Sequence, residues 1–169
     1  MKIRYIFIDV DGTLTDGGVY YDEHGNEIKK FNTKDGTGII LARTSGITPI
    51  ILTGRTCFAT SRRMLELGVE HLYQGINNKT EWIRSWMSDN SICKEEVGYI
   101  GDDINDLGSM KLCGFVACPL DAIDEVKNIA NYIASINGGQ GVVREVIRYI
   151  LQKQGRLEET ITAAYETGI

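Results

Sequence analysis

Several residue patterns that define common protein classes are missing from this chain. It has only four cysteines and two histidines among 169 residues. The cysteines are scattered, with no Cys-x-x-Cys pair and no histidine nearby, which argues against a zinc site. We expect reduced thiols in the core of a cytoplasmic protein instead.

A positively charged surface and a long apolar segment are also missing. The net charge is −5, so we expect no general affinity for nucleic acid or for a membrane surface. The N-terminal apolar run is too short for a signal peptide or a membrane span, and it ends in aspartates. No repeat, low-complexity segment or linker interrupts the chain. Its length and a hydrophobic content of 43% therefore predict a single domain over residues 1–169.

The stretch that organises the chain lies near its start. The apolar run Tyr5–Ile8 predicts a buried strand, which ends at Asp9 and Asp11. Two carboxylates this close repel each other and raise at least one pKa unless a cation lies between them. The structural alternative is a helix cap, which a lone Asp-x-Asp pair does not exclude. The later strands must therefore decide between the two.

Strands alternate with helices along the rest of the chain, which predicts a parallel α/β sheet with helices on both faces. Two short strands around a Gly/Asn turn predict a β-hairpin over about residues 19–31. We expect later helices over about residues 119–128 and 142–153. The C-terminal tail, about residues 154–169, is polar and weakly patterned.

Polar residues follow four of the predicted strands. They are Asp9/Asp11, Thr53-Gly54, the region leading to Lys79, and Asp102/Asp103/Asp106. Because the carboxyl ends of parallel strands meet at one edge of a sheet, we expect these groups to converge. An all-oxygen site with several carboxylates suits Mg²⁺, which accepts a substrate phosphate as a further ligand. We predict Asp9, Asp102 and the backbone carbonyl of Asp11 as the metal ligands.

The residue types at these positions can perform phosphoryl-transfer chemistry. Thr53 and the backbone N–H of Gly54 can hold phosphoryl oxygens at a helix N-terminus. Lys79 supplies a positive charge for the phosphate and for Asp9. Asp9 can act as a nucleophile and form an aspartyl-phosphate. Asp11 is then placed to protonate the leaving oxygen and later to activate water.

Four motifs, in this order, resemble those of the haloacid dehalogenase superfamily of phosphotransferases. They are Asp9-Val10-Asp11-Gly12-Thr13, Thr53-Gly54-Arg55, Lys79 and Gly101-Asp102-Asp103-Ile104-Asn105-Asp106. The resemblance implies a Rossmann-like three-layer sandwich with a central parallel sheet. The stretches between the motifs leave no room for a folded cap domain, so we expect a member without a cap and with a protruding hairpin.

Nearly the whole chain is similar to the 3-deoxy-D-manno-octulosonate 8-phosphate phosphatases. The similar stretches are the hairpin with Asp16-Gly17-Gly18, Phe31-Asn32-Thr33-Lys34-Asp35-Gly36, Leu72-Tyr73-Gln74-Gly75, the Gly138–Glu145 stretch and Gln154-Gly155-Arg156-Leu157. This resemblance implies Mg²⁺-dependent hydrolysis of that sugar acid phosphate in lipopolysaccharide precursor synthesis. It also implies substrate contacts for Asp35 and Gly36. The expected assembly is a homotetramer in which each hairpin borders the neighbouring subunit's active site.

Two alternatives stay open at this point. Close relatives hydrolyse the 9-phosphate of a nine-carbon keto-deoxy sugar acid, although Arg55 favours the eight-carbon substrate. A non-catalytic oligomerisation module, like domains attached to sialic acid cytidylyltransferases, would not need the acidic residues that are present here.

The substrate carboxylate needs a cation of its own. A keto-sugar acid carries this group in addition to its phosphate, and the planar fork of arginine matches it. Arg55 and Arg63 are the candidates. The alternative is that both are solvated helix charges.

Overall fold

The computed structural model describes residues 1–166 of the chain, so the last three residues of the predicted tail lie outside the described residues. The strands are β1 (Tyr5–Ile8), β2 (Tyr20–Tyr21), β3 (Glu27–Ile28), β4 (Thr48–Leu52), β5 (His71–Tyr73), β6 (Val97–Ile100), β7 (Phe115–Cys118) and β8 (Tyr132–Ile133). The α-helices are α1 (Thr33–Thr44), α2 (Phe58–Glu66), α3 (Lys79–Asp89), α4 (Leu107–Met110), α5 (Asp124–Lys127), α6 (Val142–Lys153) and α7 (Leu157–Glu166).

Six strands form one parallel sheet in the order β5-β4-β1-β6-β7-β8. The apolar residues of β1 explain its central position, because Ile6, Phe7 and Ile8 are completely buried. Ile8 lies opposite Ile51 of β4 and Ile100 of β6. The residues directly after these three strands therefore leave the sheet at the same edge.

Helices cover both faces of the sheet and complete the predicted three-layer sandwich. Helices α1, α6 and α7 pack on the face to which Ile6 and Ile8 belong. On the other face, Phe7 packs edge-on against Trp82 and Trp86 of α3, with ring centroids 6.2 and 5.3 Å apart. The Rossmann-like α/β fold predicted from the sequence is thus confirmed.

The hairpin is also present. Strands β2 and β3 pair antiparallel, with Tyr20 opposite Ile28 and Tyr21 opposite Glu27. The Asp22 side chain accepts hydrogen bonds from the backbone of His24 and Asn26, at 2.9 and 2.8 Å, and so forms the turn. Within the described chain this hairpin is the only sheet element between β1 and α1, so no cap domain is inserted there.

Most of the weakly patterned tail forms helix α7. Leu157, Thr160, Ile161 and Ala164 follow the spacing of one helix face. Thr160 and Ala164 are buried, and the helix packs against α1. Because this face includes the polar Thr160 and the small Ala164, its helical spacing was not recognised in the sequence. Packing against other helices stabilises it.

The helix expected over residues 119–128 is shorter than predicted, since α5 begins only at Asp124. Asp121 does not cap it. Its carboxylate accepts the backbone N–H of Gly138 instead, at 2.9 Å. None of the helices in residues 1–166 is long and apolar enough to cross a membrane.

Candidate active site

The chain makes a wide turn directly after Asp9, closed by a hydrogen bond from the Thr15 N–H to the Val10 carbonyl at 3.0 Å. Gly12 occupies the left-handed region in this turn, with φ of 86°. A Cβ at Gly12 would lie 2.0 Å from Oδ2 of Asp102, so a side chain there would displace the carboxylate. The turn therefore brings the first motif against the last one.

Lys79 is the first residue of α3, and its side chain lies between two carboxylates of the site. The side chain of Asn78 caps this helix by accepting the Glu81 N–H at 3.0 Å. The Lys79 ammonium lies 2.7 Å from Oδ1 of Asp9 and 2.8 Å from Oδ1 of Asp106. Burial lowers the pKa of Lys79, but the two carboxylates outweigh burial and raise this pKa above its ordinary value. The lysine is therefore charged.

Asp106 anchors the site, although the sequence predicted only that it would lie near the other carboxylates and assigned it no role of its own. Its buried carboxylate accepts hydrogen bonds from Lys79, from the Tyr99 hydroxyl at 2.6 Å and from the Asp102 N–H at 3.2 Å. Gly101 allows this approach, since a Cβ there would lie 2.3 Å from Oδ2 of Asp106. The signal was available in the acidic motif, where Asp106 follows Asp102 by four residues across a short turn.

Three carboxylates, those of Asp9, Asp102 and Asp106, have oxygens within 4.8 Å of one another. Burial, followed by repulsion from the neighbouring carboxylates, raises the pKa of Asp9 to about 7 and that of Asp102 to about 8. A bound cation would relieve both effects. Both oxygens of Asp106 already accept hydrogen bonds, Oδ1 from Lys79 and Tyr99 and Oδ2 from the Asp102 N–H. Lys79 contacts only Oδ1 of Asp9, and Thr13 only Oδ1 of Asp102, so these two carboxylates are the ones suited to a cation.

This donor set fits Mg²⁺, which prefers oxygen ligands and retains part of its water shell. Thr13 orients Asp102 by donating a hydrogen bond to its Oδ1 at 3.1 Å. The backbone carbonyl of Asp11 as a third ligand stays a prediction.

The hairpin reaches the active site of its own chain. The ammonium of Lys29 forms an ion pair with Oδ1 of Asp11 and lies 2.8 Å from Oε1 of Glu27. Glu27 in turn pairs with Arg55 at 3.1 Å. Sequence reasoning missed Lys29, because a lysine beside a hairpin turn is usually solvated.

Thr53 and Gly54 follow β4, one strand away from Asp9. Thr53 is buried, and its hydroxyl accepts the backbone N–H of Arg55 at 3.2 Å. A Cβ at Gly54 would meet nothing nearer than the Ile76 carbonyl at 3.8 Å. The loop is thus open at Gly54, while its contact with phosphate stays a prediction.

Asp35, Gly36 and Arg63 contact residues other than these carboxylates. Asp35 is buried, and its two oxygens accept the backbone N–H groups of Gly141 and Val143 at 3.0 and 2.8 Å. Burial raises the pKa of Asp35 to about 6, and these hydrogen bonds oppose the rise. The pairing explains how α1 holds the start of α6. A role of Asp35 in substrate binding stays a prediction.

Arg63 pairs with Glu66 at 3.3 Å and packs against α1, where a Cβ at Gly36 would lie 2.6 Å from Nη2 of Arg63. Among the described residues, none of the ion pairs of Arg63 reaches the acidic cluster. Substrate contacts by Arg63 and Gly36 therefore also stay predictions.

Known proteins resemble this chain over most of its length. Residues 73–146 match the model of a haloacid dehalogenase-like hydrolase family. The 3-deoxy-D-manno-octulosonate 8-phosphate phosphatase KdsC of Escherichia coli (strain K12) is 41% identical over 158 residues, which cover 94% of this chain and 84% of that protein.

Solved structures agree with the sequence relatives. The 3-deoxy-D-manno-octulosonate 8-phosphate phosphatase of Moraxella catarrhalis, in complex with magnesium, phosphate and KDO, has a TM-score of 0.91 at 34% identity, covering 95% of this chain and 92% of that one. The cobalt-bound enzyme of Haemophilus influenzae has a TM-score of 0.87 at 36% identity, covering 92% and 91%. This chain belongs to the 3-deoxy-D-manno-octulosonate 8-phosphate phosphatase family of haloacid dehalogenase-like hydrolases.

Proposed function

We propose that this protein is a Mg²⁺-dependent phosphatase that hydrolyses 3-deoxy-D-manno-octulosonate 8-phosphate to the free sugar acid and phosphate. The observation that carries the proposal is the cluster of buried Asp9, buried Lys79 and half-buried Asp102 at the carboxyl edge of the sheet. Relatives at 41% identity bear this activity in their name. A non-catalytic module has no use for so costly a group of buried charges.

The residues divide the reaction between them. Thr53, the Gly54 N–H and Lys79 bind the phosphoryl oxygens. Mg²⁺ held by Asp9 and Asp102 would neutralise phosphate charge. Lys79 contacts Oδ1 of Asp9, so we assign the attack to Oδ2.

The proton transfers belong to Asp11. As the bond from phosphorus to Asp9 forms, the ester bond breaks and Asp11 gives a proton to the leaving sugar oxygen. Asp11 then takes a proton from water, the water oxygen attacks phosphorus, and Asp9 and phosphate are released. One carboxylate thus serves first as acid and then as base.

Recognition of the sugar acid belongs to the edge of the site. Arg55 is half exposed beside the site and pairs with Glu27 of the hairpin. Its planar fork suits the substrate carboxylate, and we retain Arg63 as the second candidate, with Asp35 and Gly36 near it. The nine-carbon substrate remains the alternative occupant.

A homotetramer with shared active sites is part of this proposal. The apolar and aromatic residues Val19, Tyr20, Tyr21 and Ile28 of the hairpin region are all exposed. An apolar surface of this kind supports packing against another copy, and symmetric closure is the usual solution. Deleting residues 22–26 should weaken the assembly in light scattering, whereas a wild-type protein that stays monomeric at all concentrations would refute it.

The same proposal places the enzyme in the cytoplasm, where lipopolysaccharide sugar precursors are made. The four cysteines are free thiols, which supports a reducing compartment.

The test is phosphate release from the eight-carbon 8-phosphate and the nine-carbon 9-phosphate, each with Mg²⁺ and with a chelator. We expect higher kcat/KM for the eight-carbon ester, and activity that chelation removes and Mg²⁺ restores. Faster turnover of the nine-carbon ester would transfer the assignment to that substrate. Absence of phosphate release from both esters would overturn the proposed function.

A further inference from the structure

The hairpin buries charged side chains and exposes apolar ones, which is the opposite of an ordinary surface strand. Side chains alternate along a strand, and a strand normally buries its apolar side. Here Ile28 is 51% exposed. The flanking charged side chains of Glu27 and Lys29 are only 13% and 1% exposed. The hairpin therefore turns its charges towards the active site of its own chain.

The buried ammonium of Lys29 has two acidic partners. It forms an ion pair with the carboxylate of Asp11 and another with Glu27. An unpaired buried ammonium would be very costly, so these partners account for its position. Lys29 contacts only Oδ1 of Asp11, so Oδ2 stays available to carry and release the proton.

The contacts of Glu27 extend the connection to a second loop. Its carboxylate pairs with Arg55 at 3.1 Å, and its backbone carbonyl accepts from the Cys57 thiol at 3.8 Å. The hairpin is therefore attached to the loop after β1 through Asp11 and to the loop after β4 through Arg55. These are the loops to which we assigned the proton transfers and phosphate binding.

We infer that Lys29 is a positioning residue, which holds the Asp11 carboxylate in place for proton transfer. Through Lys29, the position of the hairpin affects the rate of that transfer. The inference rests on the proposed function, because it needs Asp11 as the acid and base. A carboxylate on a short side chain can change rotamer unless a partner holds it. Lys29 restrains Asp11 from the side of the hairpin, so the position of the hairpin and the orientation of the acid are coupled.

The inference predicts a dependence on the leaving group. Phenolate and sugar alkoxides are poor leaving groups that need a proton, whereas 4-nitrophenolate leaves readily without one. A defect in acid positioning therefore slows the first two classes of ester selectively. The quantity to compare is kcat/KM, because it reports the steps up to release of the first product.

The experiment uses Lys29→Met in the full chain with phenyl phosphate and 4-nitrophenyl phosphate. We expect kcat/KM to fall roughly tenfold or more for phenyl phosphate and less than about threefold for 4-nitrophenyl phosphate, since general acid catalysis contributes about 10²–10⁴-fold. Lys29→Arg retains the charge, so its kcat/KM for phenyl phosphate should lie between the values for Lys29→Met and the wild type. Thermal unfolding of each variant verifies the fold.

Lys30→Met is the matched control. Lys30 is the next residue, its side chain is 72% exposed, and it lies 3.6 Å from Asp16 at the surface. We expect both esters to react with it at wild-type rates. If Lys29→Met does not fold, Lys29→Gln carries the same comparison, because it removes the charge and retains a hydrogen-bond donor.

An equal loss on both esters, or no loss on either, would overturn the inference. Failure of the proposed function is distinguishable from this result. Wild-type enzyme that does not release phosphate from the sugar acid phosphate with Mg²⁺ would overturn the substrate assignment. The two aryl esters would still decide the role of Lys29.

Discussion

Two lysines in this protein occupy similar positions in very different surroundings. Lys79 and Lys29 are both buried, and each ammonium lies between two carboxylates. Lys79 begins a helix that packs on the central sheet, so the register of the strands fixes its partners. Lys29 follows a two-residue strand, and ion pairs hold it against the site.

The difference distinguishes the part of the site that the central sheet fixes from the part that depends on the position of the hairpin. The sheet edge holds Asp9 and Asp102, the proposed nucleophile and metal ligand, after the buried strands β1 and β6. A lone two-stranded hairpin is marginal in water, so its position depends on the partners it finds. We therefore expect substitutions at the sheet edge to abolish activity and those on the hairpin or its rim to alter its rate or selectivity.

Asp9→Asn should give the largest effect on activity. Asparagine retains the shape and an oxygen for Lys79 but is not a nucleophile, so turnover should fall by roughly 10⁴-fold or more. Thermal unfolding should stay close to that of the wild type. Phosphate release at a substantial fraction of the wild-type rate would contradict the role of Asp9.

Lys79→Met should give the largest effect on stability. It leaves Asp9 and Asp106 as uncompensated buried charges, which lowers the free energy of unfolding by about 3–5 kcal/mol. Lys29→Met should cost less, because the hairpin can swing outward and let water reach Asp11 and Glu27. Denaturant unfolding measures both variants. Equal losses in free energy would break the distinction between the two lysines.

Mg²⁺ should stabilise the protein more at pH 8 than at pH 6. In the metal-free site the pKa of Asp9 is raised to about 7 and that of Asp102 to about 8. Both values lie above the unfolded value of about 4, so the native state binds more protons between about pH 4 and 8. Stability without metal therefore falls as the pH rises through that range.

A cation removes this penalty, so the gain in Tm from Mg²⁺ should be larger at pH 8 by about 2–4 °C. Scans with Mg²⁺ and with a chelator provide the measurement. Asp102→Asn is the control that should remove most of the difference. A gain that does not change with pH would argue against metal binding by these carboxylates.

Arg63→Ala should give the smallest effect on catalysis, because Arg63 lies outside the acidic cluster at the sheet edge. If Arg63 binds the substrate carboxylate, KM for the sugar acid phosphate should rise roughly fivefold to tenfold, with little change for 4-nitrophenyl phosphate. Arg62→Ala is the matched control, since Arg62 is exposed and also pairs with Glu66. Equal KM values for the two variants would assign Arg63 a purely structural role.

The sequence predicted the parts of the molecule that depend on one strand and the residues directly after it. The apolar run Tyr5–Ile8, with Asp9 after it, indicates a central strand and a site at its end. The parallel fold then brings the later motifs to the same edge. The position of Asp102 beside Asp9 could be predicted because its motif directly follows β6.

Features that depend on contacts between distant elements were not predicted. Lys29 resembles any solvated hairpin lysine, and its burial is visible only when the hairpin folds over Asp11. Asp35 resembles a surface helix residue, whereas it caps a helix that lies 106 residues further along the chain. Helix α7 likewise depends on its packing against α1 rather than on a strong apolar stripe.

The central claim is that Asp9 carries the phosphoryl group during turnover. The most direct measurement is rapid acid quenching of the wild-type enzyme during hydrolysis of the sugar acid phosphate, followed by mass spectrometry of the peptide that contains Asp9. The account predicts one added phosphoryl group on Asp9, formed and lost at rates compatible with kcat, and none in Asp9→Asn. Turnover without any phosphorylated Asp9, or with the group on another residue, would contradict it.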